Sequence, residues 1–256
     1  SYKLDNVFGT GFGCADVFNA TTKHIIASTV DGFNGTVFAY GQTSSGKTHT
    51  MRGTKEEPGV VTLAVQEVFD LIEGSSGREF LVRVSYMELY NEQINDLLEP
   101  GNRNLQIHEN VERGVHVTGL REDIVTSPSQ VHELMEAGES HRHVGETNMN
   151  ATSSRSHSLF RMVIESRERS AENDDLIDAV RISTLTLVDL AGSERQSKTG
   201  AEGGRLKEGA SINKSLLTLG TVINKLSENT EKSGGHIPYR DSKLTRILQP
   251  SLGGNA

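Results

Sequence analysis

Eight consecutive residues, Gly41-Gln42-Thr43-Ser44-Ser45-Gly46-Lys47-Thr48, constrain this chain more than any other stretch. They fit the pattern G-x-x-x-x-G-K-[ST], in which backbone N–H groups curl around phosphate oxygens. The glycines let the backbone turn without a Cβ in the way. Lys47 sets a positive charge against the β- and γ-phosphates, and the Thr48 hydroxyl is a ligand for Mg2+. Such a loop needs a strand before it and a helix after it. Residues 35–40 are short, apolar and β-forming, so they read as a buried strand. The segment from Lys47 onward reads as a helix whose positive end faces the anion.

A phosphate loop needs a carboxylate for the metal. In Leu185-Thr-Leu-Val-Asp-Leu-Ala-Gly192, Asp189 ends an apolar strand and Gly192 completes D-x-x-G. Asp189 is placed to hold Mg2+ through water, and the Gly192 N–H to sense the γ-phosphate. GTP-hydrolysing proteins also carry D-x-x-G, but they read guanine with N-K-x-D. The nearest stretch here, Asn213-Lys-Ser-Leu216, lacks the Asp and falls in an expected helix. Many other P-loop ATPases place Asp-Glu at the strand end, whereas Asp189 is followed by Leu190.

The rest of the chain alternates strand and helix signals, which reads as α/β. Residues 52–59 are polar and contain Pro58, so they read as a loop. Val61, Val65, Val68, Phe69 and Ile72 share one face of the helix that follows. Residues 80–89, 159–168 and 180–190 read as strands, the last two joined by an acidic loop over 169–178. Ser127-Pro-Ser-Gln130 is a helix start with a capping box. Ile212, Leu216, Leu219, Ile223 and Leu226 recur at helical spacing and give a long amphipathic helix. No linker divides the chain, so residues 1–256 read as a single domain.

The one cysteine, Cys14, leaves no partner for an internal disulfide and reads as a core side chain. No apolar run is long enough to span a membrane. Formal net charge is −8, but its distribution is uneven. Residues 195–256 carry a net +5 and residues 1–194 a net −13, a polarised surface.

Four motifs together resemble the kinesin motor domain, over the whole length of the chain. They are GTVFAYGQTSSGKTHTM over residues 35–51, NATSSRSH over 150–157, DLAGSE over 189–194 and HIPYRDSKLTRIL over 236–248. The resemblance implies a P-loop NTPase fold, with a central mostly mixed β-sheet flanked by helices on both faces. It implies that ATP and Mg2+ are bound. It makes 150–157 switch I and 189–194 switch II. Ser154 is then a ligand of the Mg2+ shell. Arg155 and Glu194 bridge the switches and order the attacking water, and Ser156 lies near the γ-phosphate. His49 packs against adenine. The helix through 212–226 is the relay after switch II.

By the same resemblance the partner is the microtubule. Arg240, Lys243 and Arg246 recur every three residues, and on one helix they would form a basic stripe facing acidic tubulin. Lys198 adds to it. No aromatic platform, zinc spacing or recognition helix points to nucleic acid, and no membrane partner is expected. The implied location is the cytoplasm, on the microtubule cytoskeleton, with the spindle as its finer form, and any dimer would form through a stalk. Ser44-Ser45 in the phosphate loop resembles the centromere-protein-E group. Kinesin motors begin with a strand before Tyr2 and continue past Ala256 into another, so the fold is expected to lack its first and last strands. An ATP-driven microtubule motor domain is the leading expectation. The alternative is a nucleotide-dependent tubulin-binding module that generates no force.

Overall fold

The computed structural model describes residues 3–111, 114–144, 154–169, 180–194, 204–228 and 236–253. In chain order its strands are β1 (Gly35–Ala39), β2 (Arg78–Tyr90), β3 (Gln93–Asp96), β4 (Gln106–Asn110), β5 (Gly114–Thr118), β6 (Asp123–Val125), β7 (His157–Glu168) and β8 (Arg181–Asp189). Its helices are α1 (Cys14–Val17), α2 (Lys23–Val30), α3 (Lys47–Arg52), α4 (Val60–Gly74), α5 (Pro128–Val144), α6 (Gly204–Glu228) and α7 (Lys243–Gly253). A π-helical turn, Phe18–Thr22, joins α1 to α2.

A mixed sheet runs β1-β8-β7-β2-β3, with β6 alongside β2, and β4 and β5 form a separate hairpin. Period-two alternation explains the two cores. Val82, Val84 and Tyr86 of β2, with Phe160, Met162 and Ile164 of β7, turn to one face. They meet Ile26 and Val30 of α2, Val61 to Phe69 of α4 and Val131 of α5. Met87 and Leu89 of β2, with Leu159 of β7 and Val188 of β8, turn to the other. There α6 supplies Ile212, Leu216 and Leu219, and α7 supplies Leu244, Ile247 and Leu248. Helices therefore cover both faces, and each fully buried aliphatic side chain contributes roughly 1.5–3 kcal/mol.

The strand expected over 35–40 is present, but Thr36 to Ala39 are only half-buried and Tyr40 is exposed. Among the described strands β1 pairs with β8 alone, which leaves its other edge uncovered. Arg52 belongs to α3, not to the loop, which begins at Gly53. The capping box at α5 is shifted by one residue. Ser127 Oγ accepts from the Gln130 N–H at 3.4 Å, but Gln130 Oε1 accepts from the Thr126 N–H at 2.8 Å instead of from Ser127. Most of the acidic loop over 169–178 lies outside the described residues. The β3–β6 strands, three to five residues each, are too short for their one or two apolar residues to set a period.

Candidate functional site

The register of the sheet brings the motifs together. β1 and β8 run parallel with Ala39 opposite Asp189, so the phosphate loop and the D-x-x-G turn leave the sheet side by side. β7 runs antiparallel with Ser158 opposite Asp189, so the NATSSRSH segment enters at the same edge. This is the carboxyl end of the parallel strands, where α/β sheets bind ligands.

The phosphate loop holds the shape its residues allow. Gly46 has φ +90° and starts α3, and Ser44 sits at φ +62°. A Cβ on Gly41 would strike Ser45 Oγ. Lys47 Nζ donates to the Gly41 and Gln42 carbonyls at 3.0 and 2.8 Å, so its charge stays inside the loop's curl. Ser45 N–H donates to the Gln42 carbonyl at 3.2 Å. His49 lies one turn on, its ring beside Cys14 Sγ at 3.8 Å. Burial, then the nearby Glu57, push the Cys14 thiol up, so it behaves as the core side chain its sequence suggested.

Thr48 and Asp189 meet as a metal site requires. The Thr48 hydroxyl donates to Asp189 Oδ2 at 2.6 Å. Asp189 is buried, yet among the described residues its Oδ1 has no hydrogen-bond partner. A buried carboxylate oxygen left without a donor is unfavourable unless water or an ion supplies one. The pair therefore fits Mg2+: the Thr48 and Asp189 oxygens would hold it, and it would supply positive charge to the phosphates.

Four backbone or side-chain links join the three loops. Ser193 N–H donates to the Gly41 carbonyl at 3.0 Å, and Gly192 N–H to the Ser154 carbonyl at 2.9 Å. The Glu194 carboxylate accepts from Thr43 N–H at 2.9 Å and from the Thr43 hydroxyl at 2.5 Å. Partial burial pushes the Glu194 carboxyl up. The Thr43 bonds and the Lys47 charge more than offset this and leave it below the usual carboxylate range. A side chain on Gly192 would collide with both Thr43 and Glu194, which accounts for the glycine.

Three placements add to or differ from the implied ones. The Glu194 carboxylate is held by Thr43 of the phosphate loop, a partner the resemblance did not name. The Gly192 N–H goes to Ser154, not outward. Ser156 is fully buried, with its Oγ accepting from Arg142 Nη2 at 3.1 Å, so it is poorly placed to meet a phosphate. Arg155 follows Ser154 in the turn before β7. Residues 150–153 lie outside the described residues.

The basic face also departs from a single stripe. Arg240 lies in a 3-10 turn, Tyr239–Asp241, and is well exposed. Ser242 is extended (φ −143°, ψ 146°), so α7 starts only at Lys243. The Glu92 carboxylate fixes this break by accepting from Ser242 Oγ at 3.1 Å and from Lys243 N–H at 2.8 Å. Arg246 is 15% exposed, held by Glu109 and by Gln249 Oε1, each at 2.5 Å. Hydrogen bonding from Arg246, then its charge, holds Glu109 below the usual carboxylate range. Lys198 lies outside the described residues.

The kinesin motor domain family model matches residues 1–256. The chain belongs to the kinesin motor-domain family. It is 67% identical over 257 residues to the kinesin-like protein KIN-7I of Oryza sativa subsp. japonica, covering 100% of this chain and 21% of that protein. It is 64% identical over 258 residues to the kinesin-like protein KIN-7O of Arabidopsis thaliana, covering 100% and 20%. It thus spans about a fifth of the length of these two relatives. A solved structure of a fast kinesin, described for its ATPase mechanism and interactions with microtubules, superposes with a TM-score of 0.88. That match is 47% identical and covers 99% of this chain and 71% of the other. The kinesin motor fold, a mixed sheet between two helical layers, is therefore that of this chain. The plant relatives carry KIN-7 names and give no support to the centromere-protein-E-like subgroup read from Ser44-Ser45.

Sequence reasoning missed a set of buried polar residues behind the site, of which Arg142 reaches Ser156. Arg142 is buried beside Glu88, with Nε 3.5 Å from Glu88 Oε1. Glu139 takes both Arg52 and the Tyr86 hydroxyl. A signal existed: Val131, Leu134, Gly138 and Arg142 share one helical face, and an arginine on an apolar stripe needs a buried partner. His157 and Ser215 were also passed over, the first as the last letter of a motif and the second as a gap in an apolar pattern.

Proposed function

We propose that this chain binds Mg·ATP, hydrolyses it, and couples the movement of its two switch turns to its grip on a microtubule. The observation that carries this reading is the Thr48–Asp189 pair with its unpartnered buried oxygen, set in register between the phosphate loop and both switches. Bound Mg2+ would supply charge neutralisation to the phosphates. The chain's own residues do the rest. The 41–48 loop turns its amides to the phosphates, and Lys47 exchanges its loop carbonyls for phosphate oxygens. His49 packs on the base. Ser154 would help hold the bound Mg2+, and Arg155 and Glu194 orient the attacking water once Glu194 leaves Thr43. Phosphoryl transfer asks for positioning and charge of this kind more than covalent chemistry.

The 256 residues form one motor-domain unit in this reading, and tubulin is met through Arg240, Lys243 and the Lys198 segment. Its place is the microtubule cytoskeleton; spindle microtubules and pairing through a stalk are the finer forms of the same proposal. No described helix is long and apolar enough to cross a membrane. The test is steady-state phosphate release from ATP and from GTP, each with and without microtubules. Microtubule-stimulated release with ATP supports the motor. Binding without turnover would favour the passive tubulin-binding module, and a marked GTP preference would overturn the reading.

A further inference from the structure

The two nitrogens of His157 are both committed, and to different moving parts. The ring is 2% exposed, at the first position of β7. Nδ1 lies 3.0 Å from the Ala191 N–H of switch II. Nε2 lies 2.9 Å from Ser215 Oγ on α6. An N–H can only donate, so Nδ1 must accept, and the imidazole proton must sit on Nε2. Ser215 Oγ in turn donates to the Ile212 carbonyl at 2.8 Å, which leaves its oxygen free to accept from Nε2–H. One neutral tautomer satisfies all three bonds. A charged ring would set Nδ1–H against the Ala191 N–H. Burial, then the Arg142 guanidinium, hold the imidazole pKa down to about 3, in agreement with that tautomer.

Placement gives the junction its meaning. Consecutive amides of the Asp-Leu-Ala-Gly turn are divided between two residues of the switch I segment. Gly192 N–H goes to the Ser154 carbonyl, and Ala191 N–H goes to His157. The first bond is a backbone contact between two loops, and a bound phosphate would compete for it. The second is to a ring locked in the sheet. If a phosphate takes the Gly192 bond, the His157 ring still holds the turn one residue earlier, at Ala191. The same ring holds α6 one helical turn from Ile212, where the helix otherwise packs through Ile212, Leu216 and Leu219.

We propose that His157 is a positioning residue that links the switch II turn to α6 through Ser215, so that a nucleotide-driven movement of the turn is passed to the helix. This rests on the proposed ATP site. It assigns the histidine no contact with substrate, and Ser215 no part in the chemistry.

The test uses Ser215→Ala, which removes the acceptor for Nε2–H and leaves the ring and its Ala191 bond in place. His157→Asn is a second variant that keeps an acceptor near the Nδ1 position and loses the reach to Ser215. Ser215→Thr restores the hydroxyl. Amide hydrogen exchange over 212–228 is compared with ADP and with a non-hydrolysable ATP analogue, and ATP affinity is measured alongside. In the wild type the two nucleotides should give different protection of α6. In Ser215→Ala and His157→Asn that difference should shrink by about fivefold or more, the low end of typical couplings, while ATP affinity stays within about twofold. Ser215→Thr should recover it. A purely structural role would lower protection equally in both nucleotides and leave the difference intact, and that result would overturn the proposal. So would a wild-type α6 that ignores which nucleotide is bound. If the wild type binds no ATP, the functional reading fails and the junction with it. If it binds ATP and the variants keep the α6 response, the junction alone is wrong.

Discussion

Ser44 shows how one side chain can sit against its own backbone. At φ +62° it occupies the left-handed region that glycine enters freely. An L-residue there is disfavoured by roughly 1–2 kcal/mol, part of which glycine returns as unfolded-chain entropy. Ser44→Gly should therefore raise the unfolding free energy by roughly 0.5–1 kcal/mol. Urea unfolding with an unchanged slope would show it, and a loss of stability would mean that the serine hydroxyl, not the backbone, decides this turn. His157 makes a second residue-scale prediction. Its unfolded pKa is near 6.5 and its folded pKa about 3. Between those values the unfolded chain binds a proton that the folded one does not, so stability is complete above pH 6.5 and falls as the pH drops toward 3. From pH 7 to 5 the wild type should lose about 2 kcal/mol more than His157→Asn. Equal losses in denaturant unfolding at the two pH values would contradict the buried neutral ring.

Among the elements, α5 gives a prediction whose sign opposes helix propensity. Gly138 lies in its interior, where alanine is normally better by about 1 kcal/mol. Here a Cβ would stand 2.6 Å from Tyr86 Cδ1 and 3.4 Å from Leu97 Cβ. Gly138→Ala should instead destabilise by roughly 1–3 kcal/mol, read as a lowered melting temperature. It should also disturb the Glu139 and Arg142 contacts that follow it. The elements also show what a sequence can carry. β2, β7, β8, α4 and α6 were legible because long apolar periods admit one assignment. The phosphate loop and the D-x-x-G turn were legible because their chemistry tolerates few residues. What escaped was partner choice. Glu194 has Thr43 because the 189–194 turn crosses the phosphate loop, and Ser242 breaks the basic stripe because Glu92, 150 residues away, caps α7. Such pairings depend on register between distant segments, which periodicity within one segment does not encode.

At the scale of the molecule, charge is arranged rather than balanced. The body is acidic, while the turn before α7 carries exposed Arg240 and α7 opens on half-buried Lys243, with Arg246 turned inward onto Glu109. Arg240→Ala and Lys243→Ala should each lower microtubule affinity by about twofold to fivefold at low salt, with a flatter salt dependence. Arg246→Ala should act less on affinity and more on stability, because its guanidinium is bound within the chain. Co-sedimentation over a salt series separates these, and three equal losses of affinity would contradict the inward place of Arg246. The larger claim is that one edge of the sheet joins nucleotide chemistry to track grip. Its most direct test is the microtubule dissociation constant with ADP and with a non-hydrolysable ATP analogue, in the wild type and in Lys47→Ala. The account predicts that the two nucleotides give clearly different constants in the wild type and the same constant in Lys47→Ala. A wild-type affinity indifferent to the nucleotide would contradict it.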